Sequence, residues 1–221
     1  MSNAPSDVID HLAGIVPGSR LDEIRAQRPQ ARENAQKSYL ALFEPEIPGN
    51  VSALDRYAVA TFVAGLHRHS AVTCFYASAL QRLGRPDIAD AIDAEIIRGS
   101  VEGPYGRYPQ GPLTIESDGG LDYAVSLEHV ETLGARLVAA LQHAHLLVFH
   151  PRDASPAALQ KLLDAGWSAT DTVTLSQLVA FLSFQIRVVA GLRTLATATE
   201  HGAGESEHAS VLKRALATDA A

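Results

Sequence analysis

Apolar residues recur three and four positions apart through most of the chain, and alternating runs rich in Val, Ile and Thr are nearly absent. That periodicity gives each segment one apolar stripe and predicts an all-α fold. Ser6 is placed to cap a first short helix ending near Pro17-Gly18. Ser19 can cap a second that stops before Pro29, because the residue preceding proline is steered away from helical dihedrals. Residues 30–43, QARENAQKSYLALF, predict a third helix.

The stretch from Pro45 to Asn50 reads as a turn leading into Ser52 with Asp55 three residues on, a near match to a capping box. The helix that starts there carries LDRYAVATFVAGLHR, is expected to break near His67 to Ser70, and resumes to Leu83, where Gly84 can supply a left-handed stop. Pro86 suits the first turn of a helix over 86–98, and Gly99 its end. Residues 99–125 concentrate Gly and Pro without periodicity; a connection of that length in a compact domain is functional or disordered.

Helical spacing returns from Ser126 to about His150. Pro151-Arg152-Asp153 interrupts it, and Ser155-Pro156 opens a short helix closed by Gly166. A last long helix, 171–197, is apolar nearly all round, the pattern of a bundle centre or an oligomer contact. Arg187, inside that apolar run, is expected to be buried, and therefore paired with a carboxylate or turned to a pocket. The expected organisation is an N-terminal helical extension (1–29), a helical domain (30–199) containing the irregular loop 99–125, and a loosely ordered tail (200–221).

At 221 residues, 47% of them hydrophobic and 19% charged, the chain can bury a sizeable core as one domain or two small fused repeats. The net charge of -7 and the scattered Lys and Arg argue against nucleic acid as a partner. Read as a string, no apolar run approaches the roughly 18 to 20 residues that span a bilayer. The start, MSNAPSDVID, lacks the basic and apolar parts of a secretion signal, so the expectation is a cytoplasmic protein with no membrane partner. Cys74 is the single cysteine, which excludes an intrachain disulfide and a multi-cysteine metal cage.

The segment LDRYAVATFVAGLHRHSAVTCFYASALQRLG resembles the core motif of the alkylhydroperoxidase D / carboxymuconolactone decarboxylase family. In that family a glutamate on one helix precedes a Cys-x-x-Cys pair at the start of the next, with a histidine four residues after the second cysteine. The segment HLLVFHPRDASPAALQKLLDAGWSATDTVTLSQLVAFLSFQIRVVAGL is similar to the family's later portion. Together the likeness spans roughly residues 30–197 and implies an alkylhydroperoxidase D-like helical bundle that forms oligomers.

Anchored on Asp55-Arg56 and on Leu80 to Gly84, the resemblance places the glutamate position on Tyr57, the two cysteines on His69 and Val72, and the histidine on Tyr76. Cys74 falls two residues beyond the second cysteine position and, at about 100° per residue, on another helix face. The family's peroxide chemistry needs a thiolate to attack and a second thiol to resolve the sulfenic acid. Val72 cannot resolve anything, Tyr57 is a poor base, and Cys74 could act only with an external or intersubunit thiol. The resemblance therefore implies a family member without the relay.

Tyr57, His69 and Tyr76 inherit the positions of that chemistry and could line a pocket, with His69 as general acid or base; the alternative is packed side chains with satisfied polar atoms. Cys74 reads as a small buried hydrophobe, against the alternative of a one-cysteine peroxidatic thiol. His67 with His69, and His143 with His145, are candidate metal ligands, but residues two apart project about 200° apart on a helix, so no metal and no cofactor is expected. In the irregular loop Arg107 could clamp a carboxylate while Tyr105 and Tyr108 stack on an organic ring, or the loop could cover the bundle or dock on a neighbour.

Three functions stay open. One is a relay-less, homo-oligomeric family member that keeps a small-molecule pocket. Another is an acid-base enzyme of the decarboxylase or lactone-processing type that uses His69 near Arg107. The third is a non-catalytic partner of a cysteine-containing relative.

Overall fold

The computed structural model describes residues 4–218, with side-chain surroundings described for residues 4–198. The described chain is all-helical: α1 (Val8–Ala13), α2 (Arg20–Ala26), α3 (Pro29–Phe43), α4 (Ala53–Leu66), α5 (Ser70–Gln81), α6 (Pro86–Gly99), α7 (Leu127–Phe149), α8 (Pro156–Asp164) and α9 (Ala169–Thr218), with 3-10 turns at Pro112–Glu116 and Pro151–Asp153. The central helix is α4, against which α5, α6, α7 and α9 all pack. Its residues from Ala58 to Leu66 are all buried, as their near-continuous apolar run requires.

Helix starts follow the polar residues the sequence offers. Ser19 accepts from the Asp22 N–H, and Ser52 and Asp55 form the reciprocal capping box. Ser155 caps α8, and the Ser168 and Asp171 side chains bond each other's backbone N–H groups at the start of α9. The first cap differs from expectation. Asp7, not Ser6, accepts the capping N–H, from Asp10, and α1 ends at the left-handed Gly14 rather than near Pro17. The Asp7 and Asp10 carboxylates also meet Arg25 and Arg32, so an acid serves as cap and ion-pair partner at once.

The break between α4 and α5 falls where expected: Arg68 has φ 55° and His69 starts α5. Gly65 allows α4 and α6 to approach, since a Cβ there would lie 2.5 Å from Ile96 Cδ1. Arg56 is buried and donates to the carbonyls of Val51 (3.0 Å), Leu42 (2.5 Å) and Pro48 (3.0 Å), tying the turn between α3 and α4 to the core. Arg136 plays a similar part at the same end of α4. Its guanidinium lies 4.0 Å from the Trp167 ring centre and donates to Gly166 O and Asn50 O.

Three expectations fail here. Arg187 is exposed, bonded only to Ser183 O one turn back; the buried polar residue of that stretch is Gln185. α7 is interrupted at Gly134 (φ 72°, ψ 156°), a backbone conformation that glycine adopts without steric cost. Finally, Leu127–Phe149 and Ala169–Ala198 are long and apolar enough, by length and composition, to cross a membrane, although no single apolar run had suggested it. Polar and a few charged residues interrupt both helices, and about half of the most apolar stretch of each is buried inside the bundle (50% and 44%).

Candidate functional site

None of the residues singled out by the family likeness lines the cavity described below. His69 caps α5, its Nδ1 accepting the Val72 N–H at 3.4 Å. Tyr76 is fully buried, donates its hydroxyl to Gln185 Oε1 at 2.6 Å and stacks on Phe43 at 4.9 Å. Tyr57 is half-buried against the other side of that aromatic group, 5.3 Å from Phe43. Burial raises both phenols, Tyr76 well above the ordinary value, so neither is a base at neutral pH. Val72 is buried.

Cys74 is exposed, not buried. Its position two residues beyond Val72 turns it out of the core into a shallow groove beside His11, Phe75 and Arg193.

The candidate cavity lies elsewhere. A cavity of about 450 Å³ opens between the irregular loop, the second half of α7 and α8. Its floor is one face of α7, where Ala139, Gln142, His143, Leu146 and His150 follow at helical spacing. Its roof is the loop segment 118–124, and Lys161 of α8 stands at its side.

Backbone bonds and packed rings order the loop. Tyr105 N donates to Phe149 O at 2.6 Å, Gly106 and Asp118 exchange backbone bonds, and the Arg107 N–H reaches Asp153 Oδ1 at 3.2 Å. Arg152 lies over the Tyr108 ring at 4.1 Å, and Tyr105 lies 5.2 Å from the His150 ring. Gly120 lies so close to Tyr105 that a Cβ would sit 2.2 Å from the ring. Of the three loop residues named from the sequence, only Arg107 lines the cavity; the two tyrosines buttress its walls.

The roof is pinned at its far end by Glu95 of α6. This fully buried carboxylate accepts from the Tyr123 hydroxyl (2.7 Å), the Ser126 N–H (2.9 Å) and His129 Nδ1 (2.6 Å). Burial raises its proton affinity, but the bonds from His129, Tyr123 and Ser126 outweigh that and hold the carboxyl below its ordinary range. Tyr123 in turn stacks on His145 at 4.6 Å.

Three histidines line the cavity, each in a different state. His150 sets Nδ1 against Asp153 Oδ2 and Nε2 against Leu121 O. His145 donates Nε2–H to Gly99 O at 3.0 Å, and burial lowers its pKa to about 4. His143 is only 6% exposed, and neither ring nitrogen has a protein partner. Burial lowers its pKa, so the ring is neutral at pH 7; it borders the cavity with its two nitrogens shielded and unpartnered.

Sequence reasoning treated His143 and His145 as a pair two residues apart and dismissed them together. The signal that would have found His143 is its fit to the face carrying Ala139, Leu146 and His150 below a long glycine-rich loop. Among the described residues, no three His, Cys, Asp or Glu side chains form a group that could hold a metal ion. Compared with models of known protein families and with curated proteins, the chain matches none.

Proposed function

We propose that this chain is a small-molecule-binding protein of alkylhydroperoxidase D-like descent, without an internal dithiol relay, whose ligand occupies the cavity beneath residues 118–124. The observation that carries the reading is His143. A buried polar group without a partner costs roughly 1–3 kcal/mol, and such groups persist where a ligand or a reaction uses them. The cavity volume falls in the range of about 300–1,000 Å³ usual for small-molecule sites, and its lining joins apolar side chains to a few polar groups.

Peroxide reduction by this chain alone is not part of the reading, because turnover needs two sulfurs and the sequence holds one. His69 is poorly placed for acid-base chemistry, since its Nδ1 is engaged in capping α5.

A thermal-shift screen of small aromatic and aliphatic acids, amines, amides and alcohols tests the proposal against wild type and His143→Phe. Compounds that stabilise wild type but not the variant are expected. A screen in which every hit stabilises both proteins equally, or in which none binds, would overturn it.

A further inference from the structure

The charged groups around this cavity carry a second message. Arg107 and Lys161 make no side-chain ion pair, and the carboxylates of Asp118 and Asp122 make none either, although all four line the same space. Asp153, the remaining carboxylate of the lining, is already taken by the Arg107 N–H and His150. Elsewhere the chain pairs its charges readily, as in the group formed by Asp7, Asp10, Asp22, Arg25 and Arg32. Two free charges of each sign therefore converge on one cavity. They are not collapsed onto each other: Asp122 lies near enough to His145 to favour its protonated form, whereas Arg107 acts on Asp153.

A ligand that is only anionic would meet Asp118 and Asp122, and one that is only cationic would meet Arg107 and Lys161. A molecule carrying both signs satisfies both pairs. The wall also offers Leu121 and Leu146, which suit an apolar or aromatic body.

Resting on the cavity reading above, we propose that the ligand is a small zwitterion of the amino-acid class. Its carboxylate is held by Arg107 and Lys161, its ammonium by Asp118 and Asp122, and its side chain lies against Leu121 and Leu146.

Calorimetry with three probes on the full chain tests this: L-phenylalanine, which has both charges; N-acetyl-L-phenylalanine, which has only the carboxylate; and L-phenylalaninamide, which has only the ammonium. The zwitterion is expected to bind more tightly than either analogue by about fivefold or more, the scale of one partly exposed ion pair. Asp122→Asn is expected to weaken L-phenylalanine and leave N-acetyl-L-phenylalanine unchanged, and Lys161→Ala to do the reverse for L-phenylalaninamide: weaken the zwitterion and leave the amide unchanged. Both substitutions are at exposed positions, so folding is preserved. An analogue that binds as tightly as the zwitterion overturns the ligand class and leaves the cavity reading standing. No binding of any probe, alongside screen hits that depend on His143, also overturns the ligand class alone. No binding combined with a screen empty of such hits overturns both.

Discussion

Replacing His143 by phenylalanine should make the unliganded protein more stable, against the usual direction for a buried substitution. The imidazole is 6% exposed and neither nitrogen has a protein partner. Phenylalanine keeps a planar ring and removes both polar atoms, relieving a penalty of roughly 1–3 kcal/mol. The larger ring costs something in fit, but part of it borders a cavity into which it can shift, so a net gain of about 1–2 kcal/mol is expected. For a chain of this length that corresponds to a rise in melting temperature of about 2–8 °C.

The pH dependence gives a second readout. Burial holds the folded pKa of His143 below its unfolded value, so its neutral form stabilises the fold above the unfolded pKa of about 6.5, and that contribution is lost as pH falls from there towards the folded value. The variant lacks this loss and should fall less steeply between pH 7 and 5. His145, with a folded pKa of about 4, still costs both proteins about 3 kcal/mol on acidification through that range to pH 4. Circular dichroism melts of both proteins at pH 7, 6 and 5 measure this. A His143→Phe protein that melts several degrees below wild type at pH 7 would show that the imidazole is bonded, and would refute the reasoning.

Three further outcomes follow from the same geometry. Glu95→Ala strands the Tyr123 hydroxyl and Ser126 N–H and frees the cavity roof; a loss of about 3–5 kcal/mol in urea unfolding at pH 7 is expected, and a loss under 1 kcal/mol would remove Glu95 as the anchor. Gly65→Ala forces the α4–α6 contact apart and should cost about 1–3 kcal/mol by the same measurement. Cys74 is expected to react fully with a thiol reagent in the native state, and Cys74→Ser to shift stability by less than about 0.5 kcal/mol, as exposed substitutions do; protection of the thiol would contradict its placement.

Local chemistry carried much of the fold. Ser19, the Ser52 and Asp55 pair, Gly84 and Gly166 mark helix ends because each acts on its own backbone within a few residues. The failures share a different cause. Whether Asp7 or Ser6 caps α1 depends on Arg25 and Arg32, both distant in sequence. Arg187 was assigned to the core from its apolar neighbours, yet a helix turns 100° per residue and this one points outward. The break at Gly134 had no cue beyond a glycine in an otherwise regular pattern.

The site divides along the same line. The irregular loop and Arg107 were recognisable because composition marks a long aperiodic connection. His143 was not, since its unpartnered state depends on the loop that folds over it and leaves a cavity there. The family likeness points to Tyr57, His69 and Tyr76, of which His69 Nδ1 caps α5 and the Tyr76 hydroxyl is bonded to Gln185.

The most direct test is nuclear magnetic resonance of the protein labelled with ¹⁵N-histidine, recorded with and without a compound that binds. The account predicts that the ring nitrogens of His143 move most, as they gain their first hydrogen-bond partner, while those of His69 stay in place. Movement at His69 with His143 unchanged would return the site to the α4–α5 junction and contradict the account.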